Sequence, residues 1–249
     1  GNVLRELGKS KEAIDNYRKV LNLHPDHADA HNGLGNALKE AGKLEEAEAS
    51  YQDALRTRPD FAEAYTNLGM LQLLNGNYAD GWNNYDWRRK LTQYRFRPRN
   101  YKKPLWDGGE LTGATIFVHL EQGFGDCFQF ARYIPTLVEL GGKVILEAPR
   151  QTFSLLDAMN IADTIVTDDS ALPPFDCHIS LMDLPKLVGT TLDTIPSKTP
   201  YLTVPAQTKE KWEARLGPRQ NFRLGIVWAS NPENRKLLHK SIDLPLLAP

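Results

Sequence analysis

The chain has 249 residues, 24% of them charged, and a formal net charge of −1. That length fits one to two domains, and so even a charge balance gives no electrostatic case for nucleic acid or a membrane surface as partner. No apolar run is long enough to span a bilayer, no signal peptide is visible, and Cys127 and Cys177 make no CxxC spacing. The two cysteines read as reduced, half-buried thiols of a cytoplasmic protein, and neither has the neighbouring Cys and His density of a zinc site.

The chain opens on a repeat. Gly8, Gly42 and Gly76 stand 34 residues apart, as do Tyr17, Tyr51 and Tyr85, and Pro25 with Pro59. The clearest copy runs over residues 28–61. Its first helix carries His31, Leu34, Gly35 and Leu38, and Gly42 stands where a left-handed helix end is wanted. Its second helix carries Leu44, Ala47, Tyr51, Ala54 and Leu55, and Pro59 stops it. The apolar positions recur at i, i+3, i+4 and i+7, which predicts amphipathic helices. A unit of this kind buries its apolar face only by stacking on the next. Gly1 aligns with Gly35, so the first copy opens inside its first helix, and the true N-terminus is expected upstream.

These positions resemble the tetratricopeptide family, whose helix–turn–helix repeat has this period. The resemblance implies that first helices line a concave, peptide-binding surface. Asn2 and Asn36 share one repeat offset, with Asn32 and Asn67 near it. Their amides offer both donor and acceptor, so Asn32, Asn36 and Asn67 are candidate peptide clamps; a solvated polar helix face is the plainer alternative. The third copy (residues 62–95) is worn. Gly81 and Arg88 replace small alanines, no proline stands at Gln93, and Trp82, Tyr85 and Trp87 accumulate. Such a copy is either decayed or a terminal unit packed on another domain.

Residues 96–112 change texture and read as a linker, with Pro98, Pro104, Gly108 and Gly109. Strand and helix patterns then alternate over 113–205. Strands are predicted at 115–120 (TIFVHL), 143–147 (KVILE), 164–167 and 176–180, and helices at 126–140 and 151–159. This order predicts a parallel sheet with helices on both faces and right-handed crossovers. Residues 196–205 read as a second linker. In the last segment, 206–249, a helix is predicted at 209–216 and a strand at 223–229 that opens another α/β unit. That unit is expected to be cut short. The solenoid and the first α/β domain are each expected to fold on their own apolar core.

The loop Glu121-Gln-Gly-Phe-Gly-Asp126 leaves the first predicted strand and enters a helix. In open parallel sheets ligands bind outside the carboxyl ends of strands. Gly123 and Gly125 allow a tight turn and a close ligand approach. On its own the string reads first as a turn with Asp126 as helix N-cap. It is not the dinucleotide fingerprint, because Phe128 stands where the third glycine would be.

The longer pattern changes that reading. Residues 104–109 (PLWDGG), 111–113 (LTG), 119–126 (HLEQGFGD) and 129–135 (QFARYIP), followed by 172–176 (LPPFD), 189–192 (GTTL), 225–232 (GIVWASNP) and 241–242 (SI), resemble bacterial tetratricopeptide-fused glycosyltransferases. That group is similar to the heptosyltransferase-like and protein O-linked N-acetylglucosamine transferases of the two-Rossmann GT-B architecture. The resemblance implies an all-α tetratricopeptide solenoid followed by a Rossmann-like GT-B N-terminal domain, with the start of a second Rossmann-like domain. It implies Asp126 as the general base that takes a proton from an acceptor hydroxyl, with Glu121 and His119 as alternatives. An aspartate at a helix N-terminus is expected to stay ionised. Ser230 and Asn231 would hydrogen-bond a donor diphosphate, and Lys240 or Arg235 would neutralise the leaving group. The family has arginine where this chain has Lys240, and lysine is a point charge rather than a bidentate fork. A nucleotide sugar is the implied donor substrate, with no metal or other cofactor, and a protein or glycan the acceptor. The chain as it stands is expected not to turn over, since most of the donor half is missing. The alternative is a non-catalytic interaction module built on the repeats.

Overall fold

The computed structural model describes residues 1–91, 101–121, 123–167, 170–218, 221–223 and 225. Six helices come first: α1 (Asn2–Glu6), α2 (Ser10–Leu23), α3 (Ala28–Glu40), α4 (Leu44–Thr57), α5 (Ala62–Leu74) and α6 (Tyr78–Tyr85). They stack as three helical hairpins. Gly8, Gly42 and Gly76 have φ of +73°, +75° and +81°, a conformation that costs any side-chain-bearing L-residue about 1–2 kcal/mol. Each closes a Schellman end: Lys43 N–H reaches Leu38 C=O at 2.9 Å while Gly42 N–H reaches Lys39 C=O at 3.0 Å.

Helix spacing inside the repeats is set by glycine and tyrosine together. A Cβ on Gly35 would stand 2.6 Å from the Tyr51 ring, and one on Gly33 would stand 2.5 Å from the Tyr17 ring. The third copy departs from this. A Cβ on Gly69 would meet the backbone nitrogen of Tyr85 at 2.5 Å and the Gly81 carbonyl at 2.8 Å. Here α5 and α6 touch backbone to backbone, because Gly81 has replaced the alanine. The Tyr85 ring is freed from that wedge and joins the core of the next domain.

A 3₁₀ turn (Asp86–Lys90) ends the solenoid. The second part follows as β1 (Thr115–His119), α7 (Phe124–Ala131), α8 (Ile134–Glu139), β2 (Lys143–Glu147), α9 (Arg150–Asp157), β3 (Thr164–Val166) and β4 (Cys177–Ser180). Then come α10 (Leu184–Leu187) and α11 (Ala206–Leu216). The four strands form a parallel sheet in the order β3-β2-β1-β4.

The helix expected over 126–140 is two helices, parted at Arg132 and Tyr133. Pro135, at the second position of α8, has no N–H to return to the Ala131 carbonyl. The expectation of helices on both faces is also corrected. The steps β1 to β2 and β2 to β3 run the same way across the sheet, so right-handed crossovers bring α7, α8 and α9 to one side. Ile116, Val118, Val144, Leu146 and Ile179 pack there with helical residues. The other face carries Phe117, Ile145 and Val166, covered among the described residues by Tyr101 and Phe175 rather than by a helix.

The stretch read as a linker is in part structural. Trp106 and Leu111 are buried in the α/β core. Trp106 N–H donates to the His178 carbonyl at 2.9 Å, and His178 N–H to the Pro104 carbonyl at 3.0 Å, so this segment pairs along the open edge of β4. The two cores are not separate either. Tyr85 belongs to the α/β core, and Met70, Leu73 and Trp82 pack against it. Leu68 and Leu71 of the same helix α5 face the solenoid core instead. Helix α5 has apolar residues on more than one face because it is shared between two cores.

Candidate active site

The carboxyl end of β1 delivers the chain through Glu121 and Gly123 into α7. Helix α7 starts at Phe124, so Asp126 is its third residue and Gly123 its cap. The Asp126 carboxylate accepts the Gly123 N–H at 3.2 Å, satisfying one of the unpaired donors of the helix end. Gly123 has φ −81° and ψ −179°, which is extended backbone, and Gly125 is not among the residues of positive φ. The turn therefore does not demand glycine for its angles. What the glycines supply is room: among the described residues, no atom beyond the adjoining chain lies within 4 Å of a Cβ built on either one.

Asp126 and Gly125 line a cleft of about 820 Å³ between α7 and the last repeat. The solenoid wall is Met70, Leu73, Tyr78, Trp82 and Tyr85; the opposite wall includes Gln129, Phe130, Tyr133 and Tyr201. Met70 stands at the repeat offset that Asn2 and Asn36 occupy in the earlier copies, so the solenoid turns apolar where it meets the cleft. Trp82 meets Phe130 edge to face across the junction, and Arg132 lies over the Tyr201 ring with its Cζ 4.4 Å from the centroid. Arg132 also donates to the Tyr201 hydroxyl at 2.9 Å and to the Pro196 carbonyl at 3.2 Å, which fixes the 196–201 segment as a rim.

Burial raises the Asp126 carboxyl above its usual range, and the negative charge of Glu121 adds to the rise. The Gly123 N–H opposes both. This reverses the direction expected from the helix end alone: half-burial outweighs one backbone donor. The group is a somewhat better base for it.

The two alternative bases stand elsewhere. Glu121 is fully engaged. Its two oxygens accept from Arg88 Nε and Nη2 at 2.6 and 2.7 Å, and Ser180 Oγ donates at 2.7 Å. His119 is buried on the other face of the sheet, its Nε2 3.3 Å from His178 Nδ1, among the rings of Tyr101 and Phe117. Neither lines the cleft. The asparagines are committed within the solenoid: Tyr51 OH donates to Asn36 Oδ1, and Asn67 Nδ2 to Asn32 Oδ1, both at 2.9 Å. Ser230, Asn231, Arg235 and Lys240 lie outside the described residues, as does the strand expected at 223–229 beyond Arg223 and Gly225.

Sequence reasoning did not single out the ion cluster behind the loop. Arg88, only 1% exposed, also donates to Asp183 Oδ1 at 2.7 Å, and Arg89 pairs with the other Asp183 oxygen. Burial works against the charge on Arg88, yet its bonds to Glu121 and Asp183 hold its pKa above the ordinary arginine value. Burial raises the Asp183 carboxyl while Arg88 and Arg89 pull the other way. Lys186 and Asp86 add a further ion pair across the same junction. The available signal was Arg88 itself, standing where Ala54 stands one repeat earlier.

Cys127 is buried and Cys177 half-buried, both free thiols, and burial pushes the Cys127 thiol up to about 11. Among the described residues no cluster of three or more His, Cys, Asp or Glu is placed to hold a metal, and no helix is long and apolar enough to cross a membrane.

The family described as TPR repeat matches residues 1–42 and 35–76, so this part of the chain consists of tetratricopeptide repeats. No curated protein sequence matches the chain. Among solved structures the chain is similar to MamA, at 20% identity and a TM-score of 0.34, over 36% of this chain and 52% of that one. It thus spans about half the length of MamA. It is also similar to the TPR2B domain of yeast Sti1 in complex with an Hsp70 peptide, at 21% identity and a TM-score of 0.34, over 36% of this chain and 71% of that one. An O-GlcNAc transferase variant from Thermobaculum terrenum is similar over 66% of this chain and 39% of its own, at 14% identity and a TM-score of 0.32.

Proposed function

We propose that this chain is the repeat-bearing and acceptor-side part of a nucleotide-sugar-dependent glycosyltransferase of GT-B type, inverting and independent of metal. The carrying observation is that Asp126, at the carboxyl end of the first strand, lines a cleft whose other wall is the last tetratricopeptide repeat. A sugar-acceptor hydroxyl is a weak nucleophile, and a carboxylate at the cleft wall takes its proton as the glycosidic bond forms. The leaving group is the nucleoside diphosphate of the donor. The residues assigned to it, Ser230, Asn231 and Lys240, belong to the last segment of the chain. The repeats bring a protein or glycan acceptor to the same cleft, and the compartment is the cytoplasm.

The test is release of nucleoside diphosphate by the full-length protein across a panel of sugar donors, beside Asp126→Asn. Release that depends on acceptor and is lost in the variant is expected. No release with any donor, or an unimpaired variant, overturns the reading.

A second reading is a non-catalytic interaction module. It is favoured by the structural task that Asp126 already performs, accepting the Gly123 N–H. On that reading the intact protein retains a peptide partner on its repeats and transfers no sugar.

A further inference from the structure

We propose that Arg88 is a positioning residue for the Asp126 loop: the last turn of the solenoid holds the start of that loop through a two-pronged ion pair to Glu121. The inference rests on the reading of Asp126 as the base, and its experiment separates the two.

Within the loop the Asp126 carboxylate accepts the Gly123 N–H at 3.2 Å. Gly123 and Gly125 carry no side chain, and among the described residues nothing beyond the adjoining chain lies within 4 Å of a Cβ placed on either. The loop's place is therefore set at its ends. Downstream, Cys127 N–H returns to the Gly123 carbonyl at 3.1 Å, the first turn of α7. Upstream, Leu120 N–H donates to Glu147 Oε2 at 2.8 Å within the lobe, and Glu121 is gripped by Arg88 from outside it. Both side chains of that pair are 1% exposed. The guanidinium fork fits both carboxylate oxygens in one plane, so it fixes the direction of Glu121 as well as its distance. Ser180 and Asp183 complete the cluster from the end of β4 and the turn after it. Through Arg88 a shift of the last repeat moves the residue at which the loop begins. Arg88 also pairs with Glu121, the carboxylate whose charge acts on the Asp126 carboxyl.

A merely structural pair would alter stability alone, so the test reads the base itself. In the intact chain the Asp126 carboxyl is titrated by carbon NMR, its resonance identified by its loss in Asp126→Asn. Amide hydrogen exchange is followed at residues 123–127. Arg88→Lys keeps the charge and removes the fork. Expected are faster exchange across 123–127 and a shift of the Asp126 titration, with exchange in α3 and α4 unchanged. In the full-length enzyme kcat should fall on the order of a hundredfold, as for an ångström-scale misplacement, with KM for the donor unchanged. If Arg88→Lys does not fold, the paired variant Arg88→Met with Glu121→Gln leaves no lone buried charge at that pair and should show the same loop exchange. Wild-type exchange and an unmoved titration in a folded variant overturn the proposal. Intact transfer in Asp126→Asn overturns the base reading instead, and leaves the exchange result to decide the positioning role.

Discussion

Trp82 of the last repeat meets Phe130 of the α/β part edge to face, with ring centroids 6.4 Å apart and planes at 70°. This contact and the buried Tyr85 beside it make the solenoid a wall of the α/β core rather than a neighbour of it.

Residues 101–249 expressed alone should therefore lack a cooperative native fold. They lose Tyr85, Met70, Leu73 and Trp82 from the core, and Glu121 and Asp183 lose Arg88 as their shared counter-ion. Near-ultraviolet circular dichroism and a melting curve check this. The intact chain should melt in one transition, and a fragment melting cooperatively at the same temperature would show the cores to be independent.

Gly35→Ala should destabilise the solenoid by about 1–3 kcal/mol. The new methyl would stand 2.6 Å from the ring of Tyr51, which is fully buried and has no room to retreat. Gly42→Ala is the informative comparison. Among the described residues it meets nothing within 4 Å, but it sits at φ +75°, so its cost, about 1–2 kcal/mol, is backbone strain. Truncating Tyr51 to leucine should relieve the first defect and not the second. Urea unfolding midpoints measure all three.

Asp126→Asn should abolish transfer while leaving the fold at least as stable at neutral pH. The sign follows from the raised carboxyl pKa. The folded state binds the proton more tightly than the unfolded state, so ionisation weakens the fold as pH rises through that window. Removing the ionisable group removes this cost, and an asparagine oxygen still accepts the Gly123 N–H. In the wild type, activity should fall on the acid side with a midpoint above the ordinary aspartate value of 3.8. A variant that melts clearly lower at pH 7 would contradict the stability half.

His178 should make the fold acid-sensitive. Burial lowers its pKa below the ordinary 6.5, partly opposed by a hydrogen bond to the Lys103 backbone. The unfolded chain then takes up the proton first, and stability declines as pH falls below about 6.5 towards the lower folded value. The rings around it are those of His119, Tyr101 and Phe175, and none of these offers a negative charge to a protonated imidazole. His178→Gln should flatten the dependence of the denaturation midpoint between pH 7 and pH 5. An unchanged slope would place the sensitivity elsewhere.

The repeats were legible residue by residue because their information is local. The left-handed ends at Gly8, Gly42 and Gly76 and the helix faces around Leu34 and Ala47 depend on neighbours within a turn or one repeat away. The strand positions were legible for the same reason, as short apolar runs between turns. Where a helix starts is also local, but the sequence reads Asp126 as the cap when it lies three residues past it, since the cap here is a glycine with no side chain to announce it. The worn third copy carried a true signal in Arg88, Trp82 and Tyr85, without saying what they would touch.

The sequence by itself determined the helical period, the glycine-ended turns, the alternation of strand and helix, and the presence of an acidic residue after the first strand. Only the tertiary structure decided that Glu121 is a counter-ion, that His119 lies on the far face of the sheet, and that Asp126 shares a cleft with the solenoid. The physical reason is distance along the chain. Arg88, Glu121, Ser180 and Asp183 meet only after the sheet order and the docking of the last repeat are fixed. Burial and charge pairing at that meeting point set which carboxylate is held and which faces the cleft.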